Sequence, residues 1–195
     1  MARRTFVAVE LPEDLRHRLS LCAEAMAGEW TDGGLRPAAA ETIHLTLRFI
    51  GDTEEEVLPA LMAGLDKIAA ALTPFHLVTD QIGGFPNLRR PRVVWVGLTD
   101  AGGQLPKLNR QIEQLVQSLG WEPEQGKGFT PHLTLGRVRQ KSRPPSVNWV
   151  GGGPAERFGV GAVSLIESLL KPHGAQHSLL HRASFSPQGG RPRAG

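Results

Sequence analysis

One tetrapeptide, His-Leu-Thr-Leu, occurs twice in this chain, at His44–Leu47 and at His132–Leu135. Each copy follows the same order of elements: a strand, an amphipathic helix, then a strand that opens on the tetrapeptide. Val7 lies 37 residues before His44 and Val94 lies 38 residues before His132, so the halves repeat at an offset of 87 to 88 residues. Identical tetrapeptides at equivalent places in two similar units point to an internal duplication with a pseudo-twofold arrangement.

The local patterns agree with that order. Alternation over Phe6–Leu11 predicts a first strand. Pro12 then opens a helix with Glu13 and Asp14 in its first turn, where the helix dipole favours acids. Leu15, Leu19, Cys22, Ala23 and Met26 form its apolar stripe. Thr42–Ile50 predicts a second strand, ended by Gly51-Asp52. Thr53 and Glu56 have capping-box spacing, but Pro59 also suits a helix that starts near Leu58. Leu61, Met62, Leu65, Ile68 and Leu72 mark the buried face of that helix.

Strands are predicted at His76–Ile82, before the turn-rich Gly83–Arg92, and at Val93–Leu98. The periodicity of Leu105, Leu108, Ile112, Leu115, Val116 and Leu119 predicts a third helix, and Phe129–Val138 a strand. Arg139–Gly153 reads as a polar loop carrying Trp149, and Val160–Ser168 and Ser178–Phe185 as closing strands. Residues 1–186 are therefore expected to form a single domain of two pseudo-symmetric lobes, with 187–195 an unstructured tail.

The composition supplies a core, 40% of the 195 residues being hydrophobic, and 23 Gly and 15 Pro provide for many short loops. The net charge of +3 permits a polyanionic ligand without demanding one. Cys22 is the only cysteine, which excludes an intramolecular disulfide and a cysteine-based zinc cluster. The N-terminal apolar run is too short for a signal peptide, and no stretch approaches the length of a membrane span. A monomeric, cytoplasmic protein without a membrane partner is expected.

In a strand, residues i and i+2 share a face. His44 and Thr46 then point one way, with Arg48 at the same parity, while Ile43, Leu45, Leu47 and Phe49 point into a core. His132 and Thr134 behave likewise, opposite Leu133 and Leu135. Two strands brought together across the pseudo-twofold would line one cleft with two imidazoles and two hydroxyls. Imidazole titrates near neutrality, so one ring can take a proton while the other gives one. Thr hydroxyls can donate to the non-bridging oxygens of a phosphate as their charge grows. These parts suffice for opening a cyclic phosphodiester without a metal. A lone His-x-Thr in a strand is common and carries little; two copies at matching places carry much more.

Other readings fare less well. His173, His177 and His181 are spaced four apart, but Pro172 and Gly174 interrupt a helix there, and in a strand successive members lie ~13 Å apart, too far for one ion. Gly151-Gly-Gly153 lacks the spacing and the Lys of a phosphate loop. A module that binds RNA ends or nucleotides without turnover would not need two proton-transfer groups. The basic stretches Arg89-Arg90-Pro-Arg92 and Arg137-Val-Arg-Gln-Lys-Ser-Arg143 could hold a phosphate backbone or be solvated loops.

Over roughly residues 4–185 the sequence resembles the 2H phosphoesterase superfamily, and within it the LigT-like RNA 2′,3′-cyclic phosphodiesterases, also called the 2′-5′ RNA ligase family. The resemblance lies in Phe6-Val-Ala-Val-Glu-Leu-Pro12, His44-Leu-Thr-Leu-Arg-Phe-Ile-Gly51 and Phe85-Pro86. It continues in Val93-Val-Trp-Val-Gly-Leu98, Phe129-Thr-Pro-His-Leu-Thr-Leu-Gly-Arg137 and Leu165-Ile-Glu-Ser168.

The resemblance implies a bilobal duplicated α+β fold, with two antiparallel sheets flanking a central cleft and helices on the outside. It implies that RNA 2′,3′-cyclic phosphate ends, on tRNA fragments for example, are hydrolysed to 2′-phosphomonoesters. His44 would be the proton donor to the leaving 3′ oxygen and His132 the proton acceptor, with Thr46 and Thr134 beside them and no cofactor or metal. The same groups run in reverse would give 2′-5′ ligation, and another small cyclic phosphate is an alternative substrate. Arg137 matches a basic residue of the family that can reach phosphate, although simple parity turns it away from His132 unless a bulge intervenes. Arg48 is a second candidate for phosphate or RNA. His177 stands where the family usually carries a tyrosine.

Overall fold

The computed structural model describes residues 2–30, 32–124, 128–145, 155–171 and 174–187. The part of the expected polar loop that carries Trp149 and Gly151-Gly-Gly153, residue His173 and the tail beyond Pro187 lie outside the described residues. In chain order the elements are β1 (Ala2–Glu10), α1 (Glu13–Gly28), β2 (Leu35–Pro37), a 3-10 turn (Ala40–Thr42), β3 (His44–Glu54) and α2 (Leu58–Ala70). They continue with β4 (Phe75–Phe85), β5 (Val93–Thr99), α3 (Gln104–Ser118), β6 (His132–Val138), β7 (Arg157–Val160), β8 (Ala162–Lys171) and β9 (Gly174–Ser184).

The strands form one sheet in the order β7-β4-β5-β6-β3-β1-β8-β9, with β2 added beside β6. Every pairing is antiparallel. The order divides into two four-stranded halves, β7-β4-β5-β6 and β3-β1-β8-β9, joined at the centre by a single residue pair, Leu45 with Leu133. The duplication therefore appears in space as two sheets that meet at the two repeated tetrapeptides.

Helices cover one side of these sheets. The stripe of α3 is buried completely at Leu105, Leu108, Ile112 and Val116. Each such side chain withdrawn from water contributes about 1.5–3 kcal/mol. Asp100 starts α3 by accepting the Leu105 N–H at 2.6 Å and the Gly102 N–H at 2.9 Å. The main core joins these residues to Val7, Val9, Leu45, Leu47, Leu133 and Leu135 from the sheet. Phe6, Ala8 and Ile166 form a separate buried cluster on the opposite face. Alternation along β1 thus buries both of its faces, as a central strand requires.

Several boundaries differ from those expected. β3 does not stop at Gly51-Asp52 but runs on to Glu54. Gly51 adopts φ +82°, a conformation that L residues rarely take, beside a register shift between Thr5 and Phe6. It marks a bulge within the strand rather than its end. Thr53 is buried in that extension and hydrogen-bonded to Thr5 at 2.8 Å, so it does not cap α2. α2 begins at Leu58, with Pro59 in its first turn. Gly161 splits the first closing strand into β7 and β8, which lie in different halves of the sheet. Cys22 is partly buried against the core on α1.

Candidate active site

Antiparallel partners project on the same side of a sheet, so the single Leu45–Leu133 pair fixes what surrounds it. Continued one residue each way, this register sets His44 opposite Thr134 and Thr46 opposite His132. Both leucines are buried in the core below, and both His-x-Thr pairs lie on the other face, in the cleft. Each histidine thus faces the threonine of the other half.

The two imidazoles are oriented by the same device. His132 Nδ1–H donates to the Thr130 carbonyl at 2.8 Å. His44 makes the corresponding bond to the backbone of Thr42. A ring held through one nitrogen presents the other to the cleft in a set tautomer. The repeated unit is accordingly longer than the tetrapeptide: Thr42-Ile43 and Thr130-Pro131 precede the two histidines. A threonine two residues before each His was the signal for these anchors, though the groups used are main-chain carbonyls.

Around the rings the halves diverge. His44 stacks on Phe6 with ring centroids 4.8 Å apart and meets His177 edge-on at 5.1 Å. His132 meets Phe85 edge-on at 4.9 Å and lies 6.0 Å from Trp95. Ala8 in β1 and Trp95 in β5 are paired with the equivalent threonines, Thr46 and Thr134. The large ring is accommodated because Gly83 lies opposite it in β4, where an added Cβ would collide with the Trp95 ring. Burial chiefly, with the charge of His177 and more weakly that of His132, lowers the pKa of His44 to about 4 against the pull of the Thr42 hydrogen bond. Burial lowers that of His177 as well.

Strand parity fails beyond each tetrapeptide, and for the same reason in both halves. Val7 pairs with Arg48 while Ala8 pairs with Thr46, which leaves Leu47 as an extra residue. Val94 pairs with Gly136 while Trp95 pairs with Thr134, which leaves Leu135 extra. A bulge puts two successive side chains on one side and reverses the alternation after it. Arg48 is therefore turned to the core side, contrary to the expectation that it shares a face with His44. It is buried, paired with Glu113 at 2.6 Å and bonded to the Phe49 and Glu122 carbonyls. Phe49, expected in the core, is 54% exposed on the cleft face.

In β6 the equivalent bulge brings Arg137 round to the face of His132 and Thr134. There it is exposed and, among the described residues, its side chain makes no hydrogen bond or ion pair. The carbonyls freed by the bulges are satisfied from outside the ladder, Leu47 by the Asn109 side chain at 2.8 Å and Leu135 by the Ala38 N–H at 2.7 Å.

A further bulge separates the C-terminal histidines. His181 pairs with Leu165 and Leu179 with Ile166, so Leu180 is extra. His177 faces the cleft, whereas His181 faces α2 and bonds Asp66 at 2.8 Å. These two do not share a face, which removes the geometry that a common metal ion would need. Among the described residues no group of three or more His, Cys, Asp or Glu could hold a metal ion, and no helix is long and apolar enough to cross a membrane.

Comparison with known proteins places the chain in a family. The model of the LigT like Phosphoesterase family matches residues 9–95. An RNA 2′,3′-cyclic phosphodiesterase of Thermus thermophilus is 34% identical, over 98% of this chain and 94% of its own length. That of Archaeoglobus fulgidus is 32% identical, over 88% and 94% respectively. The crystal structure of Escherichia coli LigT complexed with 3′-AMP superimposes with a TM-score of 0.74 at 26% identity, covering 95% of this chain and 99% of that one. With relatives this similar along nearly their whole length, and a fold that brings both repeated motifs to one cleft, this chain belongs to the LigT-like phosphoesterase family.

Proposed function

We propose that the protein hydrolyses 2′,3′-cyclic phosphate ends of RNA to 2′-phosphomonoesters, with His44 and His132 as the acid and base. The observation that supports this reading is the Leu45–Leu133 pair, which joins the two strands that carry the His-x-Thr motifs at the centre of the sheet. A phosphate between the two motifs is flanked by a ring nitrogen and a hydroxyl from each side.

In the proposed step His132 takes a proton from water, whose oxygen forms a bond to phosphorus. The bond from phosphorus to the 3′ oxygen breaks, and His44 supplies the proton that this oxygen needs. The product is a 2′-phosphate with a free 3′-hydroxyl. Both histidines then return to their starting protonation through solvent. Thr46 and Thr134 donate to the non-bridging oxygens, where charge accumulates as the new bond forms. His44 is uncharged in the free protein at neutral pH, as its pKa of about 4 requires. The negative charge of a bound phosphate favours the imidazolium, so His44 becomes an acid when the substrate arrives. Arg137, at the rim on the His132 side, is suited to a phosphate of the RNA backbone.

The test is hydrolysis of an RNA oligonucleotide ending in 2′,3′-cyclic phosphate, in excess EDTA, by the wild type, H44A and H132A. The expected result is a 2′-phosphate product from the wild type and a loss of 10²- to 10⁴-fold in each variant. A folded wild type that leaves the cyclic phosphate intact would sink the assignment, and activity abolished by EDTA would sink the metal-free mechanism.

A further inference from the structure

The end of the cleft beside His44 carries a third imidazole, and the pairing of the strands explains why. His177 in β9 pairs with Ser168 of β8, and two residues before Ser168 in that strand Ile166 pairs with Phe6 of β1. All of them lie on the cleft face. The rings of Phe6, His44 and His177 touch pairwise: His177 meets Phe6 edge-on at 5.1 Å and His44 edge-on at 5.1 Å, while Phe6 stacks on His44 at 4.8 Å. In the other half the ring set edge-on to the histidine is Phe85, which does not titrate. Among the described residues the half-buried ring of His177 makes no hydrogen bond, so ring contact is what it offers His44.

We propose that His177 is a positioning residue for His44: its ring holds the His44 imidazole against Phe6 and brings a second titratable group into direct contact with it. The inference rests on His44 being one of the two proton-transfer groups. Ring packing restricts His44 to the orientation in which the Thr42 bond is made and the other nitrogen meets the substrate, and misplacement of such a group by about 1 Å can cost 10²-fold in rate. The contact also makes the two histidines compete for charge, since adjacent imidazolium ions disfavour each other. Among the described residues, other ionisable groups near His44 on this face are His132 from β6, Glu10 from β1, which is opposite His44 in the register and accepts from Ser164, and Arg182 from β9, which is paired with Glu10. None of these is altered by a change at His177.

The experiment uses H177A, which removes the ring, and H177F, which keeps a ring and removes the titration. Kinetics on the cyclic-phosphate RNA are combined with histidine proton titrations by NMR on the free protein, and circular dichroism reports folding. H177A should lower kcat roughly 10- to 100-fold with KM little changed, and H177F should recover most of that loss. In H177F the His44 resonance, assigned through H44A, should titrate at higher pH than in the wild type.

Equal losses in both variants, or a loss expressed in KM, would overturn the positioning role in favour of direct substrate contact. An unmoved His44 titration would overturn the coupling. The titration needs no substrate, so a wild type inactive on cyclic phosphate would discredit the proposed reaction while this contact is still decided by NMR.

Discussion

Phe49 and Arg137 occupy equivalent places in the two halves, each the second residue after a bulged leucine, and both are turned onto the cleft face. The duplicated backbone thus ends one wall of the cleft in an aromatic ring and the other in a guanidinium. A symmetric frame carries an asymmetric rim, and a phosphate-bearing chain bound across it meets unlike ends.

The two arginines that the sequence offered for phosphate binding should behave in opposite ways. Arg137→Ala is expected to raise KM for the RNA about tenfold, to leave stability within about 0.5 kcal/mol and to reduce the salt dependence of binding. Arg48→Ala removes one partner of a nearly buried pair with Glu113 and should cost on the order of 3 kcal/mol in stability. Steady-state kinetics at two salt concentrations with urea unfolding separate the two, and similar behaviour of both variants would contradict the bulge geometry.

If Thr46 and Thr134 act through their hydroxyls, replacing either by the isosteric valine should lower kcat about 100-fold. KM and the unfolding midpoint should change little, since both side chains are only partly buried. Single-turnover rates on the cyclic-phosphate RNA check this, and a rate within threefold of wild type would show that the hydroxyl concerned is not used.

Gly83→Ala tests the packing beneath His132. The added methyl would collide with the Trp95 ring, which lies 6.0 Å from His132. Overpacking of this kind costs about 1–3 kcal/mol, and the displaced indole should also lower kcat. Thermal unfolding and kinetics measure both; unchanged values would mean that Trp95 moves aside freely.

His44 should leave a signature in stability against pH. Its pKa falls from 6.5 to about 4 on folding, so between those values the unfolded chain binds more protons than the folded one. Stability must therefore drop as pH falls through that window, by up to about 3 kcal/mol, while above pH 7 the group contributes no slope. Urea unfolding of wild type and His44→Gln from pH 4 to 8 should show a shallower acid loss in the variant. Parallel curves would show that His44 is not held uncharged by the fold.

Much of this protein was legible from local pattern. The duplicated His-x-Thr strands, the stripes of all three helices and the strand at Val93–Leu98 follow from patterns that neighbouring residues impose on one another. The repeat alone brought His44, Thr46, His132 and Thr134 forward as one group. Beyond each tetrapeptide the same reasoning failed, because a strand's period of two persists only while its pairing is regular. Whether Leu47, Leu135 and Leu180 are extra residues depends on partners 40 residues away in β1 and β5, and on β8 across the sheet. It depends also on Asn109 and Ala38, which satisfy two of the carbonyls that the bulges release.

Those long-range contacts sent Arg48 into the core, Phe49 and Arg137 into the cleft, and His177 and His181 to opposite faces. The sequence by itself determined that the His-x-Thr pair comes in two copies, each on one face of a strand. Only the tertiary structure decided which neighbours share their face, because that choice is made by hydrogen bonds and packing between strands that the chain brings together from far apart.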